Sequence, residues 1–207
     1  MKKIMFSDKY GLTQAVLDGR KTMTRRIIKL DKLGEYNFDN ALKQEWGRKS
    51  IEAYINNYAR YKVGEVIAIA QSYETVFHSG NCPNDFFVDS STINKKYCGA
   101  GFKNKMFVKA DLMPHHIEIT DIKVERLQDI SDEDCLKEGI VRQEVISDES
   151  PLIYAYDAFL NGESGYFASQ WFKSPKEAFA TLIDKVSGKG VFQSNPYVFA
   201  YEFVLVD

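Results

Sequence analysis

The sequence has no long apolar run, few cysteines and almost no excess charge of either sign. No stretch approaches the roughly 18 consecutive apolar residues that a membrane-spanning helix requires. The first residues, Met-Lys-Lys-Ile-Met-Phe, lack the apolar core of a signal peptide. The three cysteines are an odd number and lie far apart, so they do not make a disulfide framework. We therefore expect a reduced, cytoplasmic protein with no membrane partner.

Motifs of several common enzyme classes are also missing. The chain has no Gly-x-Gly-x-x-Gly, P-loop or Gly-x-Ser-x-Gly pattern, which argues against a dinucleotide site, an NTPase and a hydrolase elbow. Its histidines and cysteines form no Cys-x-x-Cys or His-x-x-x-His unit and lie in different irregular segments: His78, Cys82, Cys98, His115 and His116. We accordingly predict neither a metal nor a cofactor.

Charge and composition indicate one ordinary globular domain. The 207 residues are 44% hydrophobic and 14% aromatic, which is ample for a packed core. A net charge of -2 argues against bulk electrostatic attraction to nucleic acid, which usually needs a basic domain or face. Lysines cluster at 95–109 and acids at 129–138, and runs of this kind are most often solvated faces.

One short turn carries groups that suit an anionic or carbonyl ligand. Residues 17–28 read Leu-Asp-Gly-Arg-Lys-Thr-Met-Thr-Arg-Arg-Ile-Ile and follow an amphipathic helix at 13–18 that Gly19 ends. Within six residues the chain places an amine, two hydroxyls and two guanidinium groups: Lys21, Thr22, Thr24, Arg25 and Arg26. Two interpretations stay open, a ligand site or a strand with a solvated basic face.

The remaining pattern predicts an α+β domain with a curved sheet or small barrel, since no regular strand-helix repeat is present. The predicted strands are residues 3–6, 66–70, 105–109, 117–125 (with a bulge near Asp121) and 197–206. The predicted helices are 13–18, 41–58 (broken near Gly47, with Leu42 and Trp46 four residues apart before the break), 131–138, 152–160 and 174–187. We interpret the remaining parts of 29–40, 78–101 and 143–165 as loops. The last strand is apolar on both faces, so we expect it at the centre of the sheet.

The basic turn resembles the signature of the ASCH domain family. Gly-Arg-Lys-Thr-Met-Thr-Arg at 19–25 looks like the family's Gly-x-Lys-x-x-Thr-x-Arg. Three further blocks resemble the family in the expected order: 61–66, 124–140 and 174–203. They leave out 30–58 and 76–103, which we interpret as insertions in a single domain of residues 1–207. The family's fold is similar to the RNA-binding PUA domains, so the resemblance implies a PUA-like curved sheet or β-barrel with surrounding helices.

The resemblance also implies an activity. A small bacterial member of the family is an amidohydrolase that removes the acetyl group of N4-acetylcytidine with a Lys and a Thr of the signature and a Glu of the later acidic helix. By motif these are Lys21, Thr24 and Glu138: Thr24 is the expected nucleophile, Lys21 the group that accepts its proton, and Glu138 the group that orients or shuttles protons. The expected partner is RNA or a modified nucleoside. We predict substrate contacts from Arg20, Arg25, Arg26, Gln71 and Tyr73, with Tyr73 stacking on a base.

Departures from the family pattern keep other functions open. Where longer relatives end the second strand with Arg-Glu-Thr-Trp, this chain has Ala-Gln-Ser-Tyr at 70–73, and His115 lies near where relatives often place Arg. The alternative is a non-catalytic RNA- or DNA-binding module of phage or mobile-element origin; nuclease activity is a third. The alternative for Glu138 is that it is an exposed carboxylate near a helix C-terminus that has no functional role.

Overall fold

The computed structural model describes residues 1–44, 47–147, 150–157 and 171–206. The strands are β1 Lys3–Ile4, β2 Met23–Ile27, β3 Val66–Ile69, β4 His116–Arg126, β5 Val141–Ser147, β6 Ser150–Asp157, β7 Trp171–Phe172 and β8 Tyr197–Leu205. The helices are α1 Leu12–Leu17, α2 Lys32–Leu42, α3 Gly47–Tyr58, α4 Tyr73–His78, α5 Asp132–Lys137, α6 Pro175–Ser187 and α7 Val191–Ser194.

The main sheet has five strands in the order β1-β3-β4-β8-β2. β1 and β3 are parallel, and the other neighbours are antiparallel. The sheet is not closed, so the α+β class is confirmed as an open mixed sheet and the closed barrel is not formed. β8 lies between β4 and β2, as its two apolar faces predicted, and the register of β4 against β8 shifts between Ile119 and Asp121, as the predicted bulge requires.

Two segments interpreted as loops form regular structure instead. Residues 32–42 are helical because the Asp31 side chain accepts a hydrogen bond from the Gly34 amide at 2.7 Å and because Phe38 is buried. Phe38 packs 4.6 Å from Tyr54 and 5.1 Å from Tyr197, a contact that local polarity does not reveal. Residues 141–147 and 150–157 pair with each other as the antiparallel strands β5 and β6, so the helix predicted from 152 is wrong as far as 157. Residues 158–160 and Trp46 lie outside the described residues.

The strand predicted at 105–109 is also wrong. Residues 105–107 and 110–112 form two 3-10 turns, and the Asn104 side chain accepts a hydrogen bond from the Met106 amide at 3.0 Å to begin the first of them. The Lys105 ammonium group reaches the Phe6 carbonyl and lies 2.8 Å from an Asp8 carboxylate oxygen. These turns therefore hold the segment against the beginning of the chain without a strand partner.

The described residues build two apolar clusters. The larger lies around the main sheet and includes Ile67, Ile117, Phe179 and Phe203, and Phe38 and Tyr54 connect the 30–58 segment to it. The smaller cluster forms around Ala68 of β3 and Ala70, the residue after that strand. Its other buried members come later in the chain: Tyr73, Phe86, Tyr97, Val108 and Met113. No described helix is both long and apolar enough to cross a membrane.

Candidate functional site

The basic turn lies against the end of α5. Gly19 takes the left-handed conformation with φ 71°, which ends α1 and lets the amide of Lys21 donate back to the Ala15 carbonyl at 2.8 Å. The Thr22 amide then donates to the Lys137 carbonyl at 2.9 Å. The first hydrogen bond shapes the turn, and the second joins it to a helix more than a hundred residues later in the chain.

Lys21 and Glu138 form a buried ion pair at this junction. The Lys21 Nζ lies 2.6 Å from Glu138 Oε2 and donates to the Glu138 backbone carbonyl at 2.7 Å. The residues are 2% and 5% exposed, respectively. Burial lowers the pKa of the Lys21 amine, and the attraction of Glu138 offsets this only in part. The interpretation of Glu138 as an exposed carboxylate at a helix end is therefore wrong.

Arg25 joins the same carboxylate to two others. Its guanidinium lies 3.1 Å from Glu138 Oε1, 2.6 Å from Glu125 Oε1 and 2.8 Å from Asp134 Oδ2. Burial opposes the charge of Arg25, but Glu138 and Glu125 outweigh it and raise the pKa of the guanidinium. The Lys123 ammonium lies 2.7 Å from Asp134 and 3.2 Å from Glu125. Three cations thus face three carboxylates, and this cluster presents no unpaired positive charge to a phosphate.

The sheet explains how Arg25 and Lys123 come to share partners. Lys123 of β4, Ala200 of β8 and Arg25 of β2 form one row across the strands. Alanine in the middle leaves room above it for the carboxylates that both cations bind. Asp134 and Glu138 lie four residues apart on and just after α5, which puts both on one helix face toward that row.

Lys21, Thr24 and Glu138 line one cavity of about 60 Å³, together with Arg25 and Arg26. Its apolar wall comes from α1, α6 and the residues after β1, including Phe6, Leu12, Phe179, Leu182 and Val186. Thr24 is buried, and no hydrogen bond joins its hydroxyl to another residue in the part of the chain that the structure describes. The cavity therefore brings together a buried amine, a carboxylate and a hydroxyl that has no hydrogen-bond partner among the described residues.

The other predicted site residues divide into two groups. Arg26 is exposed at the cavity, and its guanidinium donates to the Met5 carbonyl at 2.8 Å. The solvated basic face is therefore wrong for Lys21, Thr24 and Arg25, which are buried, and right for Arg26.

Arg20, Tyr73 and Gln71 do not line the cavity. Arg20 is exposed and pairs with Asp18 at 2.8 Å. Tyr73 is buried in the smaller cluster, where its hydroxyl accepts a hydrogen bond from the Lys109 amide at 2.8 Å, so its ring does not offer a stacking surface for a base. Gln71 is 4% exposed and its Oε1 has no hydrogen-bond partner.

Two of the three carboxylates that bind Arg25, Glu125 and Asp134, were not identified from the sequence. Glu125 occupies a polar position of an alternating strand, and Asp134 belongs to an acidic run of a kind that is usually solvated. The signal that was available is the spacing of Asp134 and Glu138, since two acids four residues apart define one face. Within the described ranges, no group of histidine, cysteine and acidic side chains is placed to hold a metal ion.

Comparison with protein-family models, with curated proteins and with solved structures gave no match to this chain.

Proposed function

We propose that this protein is an ASCH-type, PUA-like domain that hydrolyses the N4-acyl amide of a cytidine-type nucleoside. One observation carries the proposal. The buried Lys21–Glu138 pair, with Nζ and Oε2 2.6 Å apart, faces the same cavity as the Thr24 hydroxyl, which has no described hydrogen-bond partner. These are the three positions that correspond to the catalytic set of the family by motif.

The shape of the sheet supports the PUA-like part of the proposal. β1 and β2 are the outer strands, yet the Arg26 guanidinium on β2 donates to the carbonyl of Met5, just after β1, at 2.8 Å. The two edges therefore approach within the reach of one side chain. A sheet curled in this way is what a small barrel-like domain needs, although the strands themselves do not pair across the gap.

The chemistry follows from the three groups. The neutral Lys21 amine takes the proton of the Thr24 hydroxyl as its oxygen attacks the acyl carbon, and the carbonyl becomes a tetrahedral oxyanion. The carbon–nitrogen bond then breaks, and Lys21 returns the proton to the N4 nitrogen, which leaves a free amino group and an ester on Thr24. Water attacks that ester with the same base, releasing the carboxylic acid and restoring the hydroxyl.

The surroundings favour these steps in two ways. Burial lowers the pKa of Lys21, so a larger fraction of the amine is neutral near pH 7 than for an exposed lysine. Arg25 holds Glu138 from the opposite side at 3.1 Å, which fixes the carboxylate that orients Lys21. A cavity of about 60 Å³ suits a small acyl group rather than a whole nucleoside, so the base and sugar extend toward Arg26.

A non-catalytic RNA- or DNA-binding module is the second candidate. The exposed guanidinium of Arg26 favours it, because that group forms no ion pair with a described carboxylate. The pairing of Lys21 and Arg25 with carboxylates weighs against it, because a phosphate would have to displace those partners. The amidohydrolase is therefore the better supported of the two.

The test is hydrolysis of N4-acetylcytidine followed by product chromatography. We expect turnover by the wild type and a loss of about 10²–10⁴-fold in kcat for Lys21→Met and Thr24→Val, because a positioned base or nucleophile contributes about that much. Lys137→Met is the matched control. Lys137 is the last residue of α5, next to Glu138, but its side chain pairs with Glu202 at the surface. We expect it to keep wild-type turnover.

A pH profile separates catalysis from folding. If neutral Lys21 is the base, kcat/KM rises with pH and levels off at an inflection below 10.5, the ordinary lysine value, because burial lowers the pKa of this amine. The variants are first compared with the wild type by circular dichroism. Absence of turnover by a folded wild type, or full turnover by a folded Lys21→Met, would contradict the proposal.

A further inference from the structure

A second pocket adjoins the candidate catalytic cavity and has the opposite electrostatic character. It has a volume of about 340 Å³ and lies between the two edges of the curled sheet and the end of α3. Its lining includes three cations, Lys3, Arg26 and Arg60, and no carboxylate among the described lining residues. The catalytic cluster, in contrast, balances its cations with acids.

No described carboxylate pairs with these three cations. Arg26 donates to the Met5 carbonyl at 2.8 Å, and the Lys3 ammonium donates to the Met106 carbonyl and, at 2.9 Å, to that of Val108. Arg60 is exposed, with its guanidinium 5.5 Å from the centre of the Tyr61 ring. Partial burial and the nearby charge of Arg60 lower the pKa of Lys3, which is the effect expected where positive charges gather without an acid.

Glu65 is the acid whose charge acts on a residue of this pocket, and it is already paired with Lys2. Glu65 acts on the Tyr61 phenol, but its carboxylate lies 2.9 Å from the Lys2 ammonium group. The positive charge of Arg26 and Arg60 therefore remains available for an anion from solution. Two guanidinium groups that line one pocket suit the oxygens of a phosphate, which accept several donors at once.

Aromatic side chains complete the pocket. Tyr61, Phe199 and Tyr201 are buried beneath it, whereas Tyr58 at the end of α3 is 67% exposed. The Tyr58 ring rests 4.5 Å from that of Tyr54, so it is supported on one side and open on the other. An exposed aromatic ring that packs on a second ring, beside cations that have no carboxylate partner, is the combination that binds nucleobases together with their phosphates.

We propose that this pocket binds a nucleoside phosphate, with the phosphate between Arg26 and Arg60 and the base or sugar against Tyr58. Met5 and Arg26 line both this pocket and the catalytic cavity, so one ligand can reach both. The assignment of the substrate as a nucleotide rather than a free nucleoside rests on the proposed function. The binding of the nucleoside phosphate itself does not.

The test is calorimetric titration of the full chain with cytidine and with cytidine 5′-monophosphate at low salt. We expect the monophosphate to bind at least tenfold more tightly than cytidine, and Arg60→Gln to remove that difference, because a hydrogen-bonded charge pair contributes about this much. Tyr58→Ala should weaken both ligands. The matched controls are Lys103→Gln and Tyr36→Ala, exposed residues outside the pocket, which should bind as the wild type does.

Equal affinity for the two ligands, or an unchanged preference in Arg60→Gln, would overturn the assignment. A cytidine trinucleotide that binds more tightly than the monophosphate identifies an RNA chain as the source of the phosphate, and equal binding identifies a mononucleotide. If the proposed function is also right, Arg60→Gln raises KM for N4-acetylcytidine 5′-monophosphate about tenfold more than it raises KM for N4-acetylcytidine. Failure of hydrolysis with intact binding would reject the proposed function alone.

Discussion

Glu138 is a single carboxylate shared by two buried cations, Lys21 on one oxygen and Arg25 on the other. Removing its charge leaves both cations partly uncompensated where solvent screens them little, because Lys21 and Arg25 are buried. We expect Glu138→Gln to lower the free energy of unfolding by about 3–5 kcal/mol, the usual result of breaking a buried pair on one side. Denaturant unfolding measures this directly.

The control at the residue scale is Glu202→Gln. Glu202 pairs with Lys137 at 2.8 Å, but both side chains are more than a third exposed, so solvent screens the pair. That substitution should cost no more than about 1 kcal/mol. Comparable losses from the two variants would show that the buried cluster is not held by its charges.

At the scale of elements, α6 forms one wall of the catalytic cavity and depends on its first turn. The Ser174 hydroxyl accepts a hydrogen bond from the Glu177 amide at 3.2 Å, and Pro175 occupies the first helical position. Ser174→Ala should destabilise the protein by about 1 kcal/mol, because the helix loses an acceptor for an end amide. Ser90→Ala, at an exposed serine with no described hydrogen bond, should change the unfolding free energy by less than about 0.5 kcal/mol. An equal effect of both would contradict the capping role.

At the scale of the whole molecule, a net charge of -2 and the pairing of the buried cations leave little positive surface for nucleic acid. If single-stranded RNA contacts only the three cations of the second pocket, the logarithm of its affinity should fall with the logarithm of salt concentration with a slope of about -2. Fluorescence anisotropy with a labelled oligonucleotide at several salt concentrations measures the slope. A slope near -5 would point to a larger basic face than the described residues provide.

Local sequence predicted the elements whose causes are local. Ser174 and Ser131 each accept a hydrogen bond from the amide three residues later, as the capping patterns indicated. The failures have non-local causes. α2 depends on Phe38 reaching Tyr54 and Tyr197. β5 and β6 depend on pairing with each other. Tyr73 was predicted as a base-stacking residue but is buried by residues that follow it in the chain.

The sequence by itself determined which chemical groups the basic turn contains, where α1 ends and that the last strand lies inside the sheet rather than at its edge. Each of these depends on side chains within a few positions of one another. Only the tertiary structure decided that Lys21 and Arg25 are buried and that Arg26 is not. Their environment comes from Glu125, Asp134 and Glu138, about a hundred or more residues later, and the energy of a charged group depends on the partners and the solvent around it.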